Sequence, residues 1–209
     1  MTSSNYLRFA GWAAIVSAAA TLLMVVTAIL SSALKLGNTF SVVVLILMAL
    51  MIVVALALHL ILSPQVQSLS LGAASIGILA MLVTAVAHIL LMAGILTQEQ
   101  FNTTGEGIGP AGIGLWLLLV NYLALLGKAL RRGLTWVGLI AGLGYLMSGV
   151  GALIGGLAGG PQNPLSSVGP LGIFFVYPIW AIWLGRGLLA QSRAPNLATS
   201  KQSSIPANS

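Results

Sequence analysis

The stretch GLTWVGLIAGLGYLMSGVGALIGGLAGG, residues 133–160, is apolar, rich in glycine and free of charged side chains. Each interior glycine destabilises a helix in water by about 1 kcal/mol relative to alanine. In lipid, small residues instead let helices pack closely, so the stretch predicts a transmembrane helix inside a tight bundle. Two lines of small residues predict close approach from two sides and a central position: Gly144, Ser148, Ala152, Gly156 and Gly160, and beside them Gly151, Gly155 and Gly159.

The composition of the whole chain extends this prediction. Of 209 residues, 58% are hydrophobic and 5% are charged, and the mean hydropathy is +1.07. A soluble domain cannot bury that much apolar surface, so we expect a polytopic membrane protein without a separate soluble domain. There is no cysteine, which excludes disulfides and thiolate chemistry. The net charge is +6, but the basic residues lie at helix ends, where they suit anionic lipids rather than nucleic acid.

The apolar runs predict an all-α fold, a bundle of six transmembrane helices that forms a single domain over residues 1–190. A membrane crossing needs about 20 apolar residues, and the runs that meet this length are 9–30, 40–62, 69–96, 111–130, 134–157 and 171–189. The segment 98–109 between the third and fourth runs is expected to be an acidic loop. Residues 191–209 are polar and predicted to form a disordered cytoplasmic tail. The rival reading of the first run, a cleaved signal peptide, is disfavoured because the run exceeds the usual length of about 7–15 residues.

A short repeat precedes two of these runs. IGPAGI at 108–113 comes before the fourth run, and VGPLGI at 168–173 comes before the sixth. Proline suits the first turn of a helix, where its missing N–H would have no helical partner. The repeat therefore predicts a helix-start device used twice, with a duplicated domain as the alternative.

The distribution of basic residues predicts the orientation. With six crossings, one side carries seven of them and the other side carries Lys35; the seven are Arg8, Lys128, Arg131, Arg132, Arg186, Arg193 and Lys201. The positive-inside rule then places both termini in the cytoplasm, and we expect a multi-pass protein of a bacterial inner (plasma) membrane. Glu99 and Glu106, the acidic residues, would face outward.

Three short pieces carry a family resemblance. LRFAG at 7–11, WVGLIAG at 136–142 and PIWAIWLG at 178–185 resemble the first-helix entry, the fifth-helix start and the last helix of a family of bacterial six-helix integral membrane proteins, known as a domain of unknown function. The likeness covers the layout of most of the chain. It implies the six-helix fold, and it transfers no catalytic residue.

The predicted spans contain no Asp or Glu, which argues against carboxylate proton relays, intramembrane aspartyl proteolysis and glutamate-dependent metalloproteases. Ser148 has no histidine on a late helix with which to form a catalytic dyad. We therefore expect a non-enzymatic protein and predict no metal site.

Two histidines lie within the predicted spans, His59 and His88. A haem held by both is excluded, because His59 lies three residues from the inner end of its span, whereas His88 lies about 19 residues, or roughly 28 Å at 1.5 Å per residue, from that same side. A haem or chlorophyll held by a single histidine, at His59 or His88, remains an alternative. For His59 the other interpretation is a boundary residue bonded to a carbonyl or to lipid.

A polar pocket around His88 is the site hypothesis. Thr84 lies one turn before His88, and Asn121 on the fourth span reaches a similar depth. Tyr145 falls near the middle of the fifth span and Tyr177 in the outer half of the sixth. We predict that these five residues line a pocket open to the outer side. The alternative is that they bond across helices and only hold the bundle together.

The leading functional prediction is an accessory or scaffold subunit of a membrane assembly, with lipids and other membrane-protein subunits as partners. The first alternative is binding or transport of a small molecule or lipid through the pocket around His88. The second is a haem- or chlorophyll-binding subunit that uses a single histidine.

Overall fold

A computed structural model describes residues 3–34, 38–158 and 164–202 of the chain. Helices and two π-helical segments occupy nearly all of these ranges, which contain no strand, so the prediction of an all-α protein is confirmed. The helices are α1 (Ser3–Leu34), α2 (Thr39–Met92), α3 (Gln98–Thr103), α4 (Gly109–Leu126), α5 (Arg132–Ala158), α6 (Pro164–Leu171) and α7 (Tyr177–Gln202). The π-helical segments are Thr104–Ile108, before α4, and Gly172–Val176, before α7.

Helix α2 is folded back on itself. It has 54 residues, and Val66, two residues after Pro64, leaves the helical region with φ −146° and ψ 59°. Ser41 and His88 are 47 residues apart, yet Ser41 Oγ lies 3.1 Å from His88 Nδ1. A straight helix would separate them by about 70 Å. Residues 39–65 and 67–92 therefore form two antiparallel halves joined at the proline-induced bend.

Within the described ranges, five helices are long and apolar enough to cross a membrane: Ser4–Ala28, Thr39–Met92, Gln98–Leu126, Arg132–Gly155 and Val168–Arg193. Large apolar side chains cover their outer surface; Leu79 is 63% exposed and Phe175 is 65% exposed. In water such a surface would be strongly unfavourable, whereas in lipid it is the ordinary lipid-facing surface of a bundle. This architecture fits an integral membrane protein.

Several predicted boundaries differ from the structure. The first helix begins at Ser3 rather than at residue 9. The segment 98–109 was expected to be a loop, but it is helical from Gln98 onward, because Thr97 and Gln100 form a capping box that nucleates the turn. The predicted disordered tail began at residue 191, whereas α7 continues to Gln202.

Two other helices end earlier than predicted. The span predicted to reach residue 96 ends at Met92, because Gly94 adopts a positive φ of 69° and breaks the helix. Helix α4 ends at Leu126 rather than at residue 130, and Lys128 follows it with φ 52°. Residues 159–163, between the fifth and sixth predicted spans, lie outside the described residues.

Helix α5 is approached closely from two sides. On one side, a Cβ at Gly144 would collide with the backbone of Gly172. On the other, Gly142 and Gly149 lie against the first ten residues of α4, where a Cβ on Gly149 would collide with the backbone of Ala111. The second contact therefore uses these glycines, whereas a Cβ at Gly155, in the predicted second line, meets no atom within 4 Å; Gly159 lies outside the described residues. Trp136 and Ile140, both about half exposed, occupy a third face. Helix α5 therefore has neighbours on two sides and an exposed third side, rather than the central position that was predicted.

Candidate functional site

A cavity of about 520 Å³ lies between the start of α2, the start of α4 and the second half of α5. Helices α1, α2, α4, α5 and α6 and both π-helical segments contribute to it, and the lining is mainly apolar. Its residues are Met24, Phe40, Val44, Leu47, Met48, Thr84, His88, Gly105, Glu106, Pro110, Ile113, Tyr145, Ser148, Ala152, Pro170, Ile173 and Phe174. Because α4 begins at this cavity and ends at Leu126, the cavity is at the opposite end of the bundle from the basic connection 127–131. We call it the His88 cavity.

His88 is held by three neighbours. Its Nδ1 lies 3.1 Å from Ser41 Oγ. The Phe40 ring lies on one side with centroids 5.9 Å apart, and Phe101 contacts the imidazole edge-on at 4.7 Å. The described residues provide no further hydrogen bond to the ring, so Nε2 keeps its bonding capacity.

Tyr145 is the least satisfied polar side chain of the His88 cavity. It is 4% exposed, and its ring packs edge-on against Tyr177 at 5.7 Å. Its hydroxyl is buried and has no hydrogen-bond partner among the described residues. Such a group costs about 1–3 kcal/mol when nothing pairs with it, so its presence calls for an explanation.

Thr84 contributes shape more than bonding capacity. Its Oγ1 donates to the carbonyl of Ala80 at 3.0 Å, within its own helix. Gly109 packs directly on it, and a Cβ at Gly109 would collide with Thr84 Oγ1. Thr84 therefore sets how closely α4 approaches α2 at the cavity wall.

The repeated hexapeptides form matching walls of the His88 cavity. Pro110 and Ile113 of the first copy line it, and so do Pro170 and Ile173, their counterparts in the second copy. The first glycine of each copy corresponds too: Gly109 of IGPAGI packs on Thr84, and Gly169 of VGPLGI packs on Ser148. A π-helical segment adjoins each copy, and such segments are frequent at functional sites. The repeat was the sequence signal for these residues, although it predicted only helix starts. The first copy does start a helix, with Pro110 in the first turn of α4, but the second lies at the end of α6 with Pro170 inside that helix, so the predicted helix start is wrong there.

Asn121 and Tyr177 lie outside the His88 cavity. Tyr177 Oη is 2.9 Å from Ser17 Oγ. Trp180 Nε1 donates to Asn121 Oδ1 at 3.2 Å, and Asn121 Nδ2 donates to the carbonyl of Leu117 at 2.8 Å. These bonds tie α1, α4 and α7 together. The structure thus brings three of the five predicted residues to one cavity and places the other two in interhelical bonds.

His59 is remote from the His88 cavity. Its Nδ1 lies 3.0 Å from Ser70 Oγ, across the bend of α2. His88 contacts Ser41, which is 18 residues before His59 on the same straight half, a separation of about 27 Å. The described residues contain no group of three or more His, Cys, Asp or Glu side chains that could hold a metal ion.

Among the site residues that were not predicted from sequence, two come from the segment 98–109. Glu106 lines the His88 cavity, and Phe101 supplies one of the rings against His88. Both belong to the segment that was expected to be a loop. The capping pattern at Thr97 was the available signal that this segment folds onto the bundle.

Comparison with family models, curated proteins and solved structures finds no match to this chain.

Proposed function

We propose that this chain is an integral membrane protein that binds a small, largely apolar molecule in the His88 cavity. The cavity volume, about 520 Å³, falls within the range of about 300–1,000 Å³ common for small-molecule sites. Its lining combines apolar side chains with a few convergent polar groups, as such sites do. The ligand class is a lipophilic compound that carries a hydroxyl or carbonyl group.

The observation that carries this proposal is the unpartnered Tyr145 hydroxyl. Tyr145 lines the cavity, and a ligand that turned its buried hydroxyl toward the cavity would provide the missing hydrogen bond; His88 Nε2 offers a second polar contact. Tyr177, whose ring packs against Tyr145, already has Ser17 as its partner. The contrast between the two tyrosines supports a ligand at Tyr145 rather than general polarity of the core.

We further propose six membrane crossings. Each half of α2, residues 39–65 and 67–92, exceeds the length of about 20 residues needed to cross. Both termini then lie on the basic side, which the positive-inside rule assigns to the cytoplasm of a bacterial inner membrane. The layout of the domain-of-unknown-function family supports the same count, and the His88 cavity would open outward.

The other functional hypotheses remain predictions. An accessory or scaffold subunit would co-purify with membrane partners under mild detergent, and a stable monomer without partners would count against it. A haem or chlorophyll on a single histidine would show a Soret or chlorophyll band in the absorption spectrum of the purified protein.

The binding proposal is tested by filling the cavity. Ala152→Leu adds volume at the cavity wall, whereas Ala19→Leu makes the same change at an exposed position of α1. Small molecules extracted from each purified protein are compared with the wild type by mass spectrometry. We expect a compound that accompanies the wild type and Ala19→Leu and is lost from Ala152→Leu. An identical set of compounds in all three proteins, with Ala152→Leu folded, would contradict the proposal.

A further inference from the structure

A second cleft, of about 1,070 Å³, lies at the other end of the bundle between the α4–α5 connection and α7. We call it the basic cleft. Three cationic side chains line it: Lys128, Arg131 and Arg186. The rest of its lining is mainly apolar and comes largely from α7: Ala129, Leu130, Leu134, Ile179, Ile182, Trp183, Leu184, Gly187, Leu188, Ala190 and Gln191.

The positive charge of the basic cleft is not paired within the described part of the chain. Lys128, Arg131 and Arg186 make no ion pair within the described ranges, and no acidic side chain lines the cleft. The sequence has two acidic side chains in all, Glu99 and Glu106, and both belong to the segment at the opposite end of the bundle. Three cations around one cavity thus favour an anionic ligand.

The apolar side of the basic cleft indicates what else the ligand must carry. Ile179, Ile182, Trp183 and Arg186 are spaced three and four residues apart, so they share one face of α7. The apolar members are well exposed, with Ile179 at 57% and Ile182 at 41%. The face therefore changes from apolar to cationic over about two turns, which matches an amphiphile with an anionic head group.

Two backbone features define the walls of the basic cleft. Lys128 has a φ of 52°, a conformation uncommon for residues other than glycine, asparagine and aspartate. The neighbouring Gly127 packs against Gln65, beside the bend of α2, which fixes the connection that carries Lys128. On the opposite side of the cleft, at Gly187, a Cβ would meet no atom within 4 Å, so the cleft has open space there.

We propose that the basic cleft binds one anionic phospholipid. Its phosphate lies among Lys128, Arg131 and Arg186, where arginine can donate two hydrogen bonds to phosphate oxygens. An acyl chain lies along Ile179 and Ile182. The site is separate from the His88 cavity and does not depend on the function proposed for it.

The first test measures lipid preference. The full-length protein is placed in nanodiscs with phosphatidylglycerol or phosphatidylcholine of the same acyl chains, and retained lipid is counted by native mass spectrometry. We expect at least about tenfold better retention of phosphatidylglycerol. The triple variant Lys128→Asn, Arg131→Gln and Arg186→Gln should abolish this preference, because each cation contributes about a fivefold gain in phosphatidylglycerol retention. Asparagine is chosen because it tolerates the left-handed backbone.

The second test separates a lipid from a free anion. Gly187→Leu fills the open space in the basic cleft, and Gly72→Leu is its matched control, because a Cβ there also meets no atom within 4 Å and Gly72 is absent from the cleft. We expect Gly187→Leu to reduce phosphatidylglycerol retention about tenfold and Gly72→Leu to leave it unchanged. Glycerol phosphate, a head group without acyl chains, should not displace the lipid.

Any one of four results would overturn the proposal. These are equal retention of the two lipids, an unchanged preference in the triple variant, equal effects of the two leucine variants, and displacement of the lipid by glycerol phosphate. Unfolding midpoints confirm that the variants are folded. If the triple variant does not fold, the three single substitutions provide the same comparison, each with about a fivefold loss expected.

Discussion

Removal of a single hydroxyl from Tyr145 should stabilise the protein, while the same change at Tyr177 should destabilise it. Both rings are buried and in contact with each other. They differ in that the Tyr177 hydroxyl bonds with Ser17, whereas the Tyr145 hydroxyl has no partner in the described part of the chain. Phenylalanine keeps both ring contacts, so the pair of variants isolates the hydroxyl.

The magnitudes follow from these partners. An unpaired buried hydroxyl costs about 1–3 kcal/mol, so Tyr145→Phe should raise the free energy of unfolding by about 1 kcal/mol or more. Tyr177→Phe should lower it by about 0.6 kcal/mol, the typical value of a hydrogen bond between membrane helices. The loss is small because Ser17 still donates to the carbonyl of Ala14 at 2.8 Å.

The assay is reversible unfolding in mixed detergent micelles, with the wild type and both variants measured in parallel. A bound ligand would pair with the Tyr145 hydroxyl, so the protein is first washed extensively with detergent to remove it. In the unwashed protein Tyr145→Phe should lose its advantage, because the wild type then keeps the ligand bond that the variant lacks.

A loss of stability in washed Tyr145→Phe as large as that in Tyr177→Phe would refute this reasoning. It would mean that the Tyr145 hydroxyl has a partner in the protein itself. The principal support for a ligand in the His88 cavity would then be gone, while the basic cleft would be unaffected.

Two further predictions concern the bundle. Gly144→Ala should destabilise it by about 1–3 kcal/mol, because the new Cβ meets the Gly172 backbone. Gly72→Ala should be tolerated, because a Cβ there meets no atom within 4 Å. Equal unfolding midpoints of the two variants would contradict this packing. The chain has no cysteine, so Ser68→Cys and Gln100→Cys can each be labelled alone with an impermeant maleimide. Six crossings predict cytoplasmic labelling of the first and external labelling of the second, and labelling of both from one side would exclude that count.

Much of the fold was predictable because the cost of burying polar backbone in lipid leaves helices as the only solution for such apolar runs. The break after residue 62 was also predictable, since Pro64 cannot donate a helical hydrogen bond, and the structure bends at Val66. The glycines of α5 indicated close packing on two sides. Which glycines meet α4 depended on the rotation of the helix about its axis, which hydrophobic runs without polar faces do not specify.

The amino-acid sequence by itself determined the helical class, the approximate positions of the apolar runs and the depth of each polar residue, since depth follows from residue number at 1.5 Å per residue. Only the tertiary structure decided which residues of similar depth face one another. His88 bonds with Ser41 and contacts Phe101, whereas Asn121 bonds with Trp180. The physical reason is that the direction of a side chain around its helix axis, and the helix that it meets there, are set by the packing of the whole bundle.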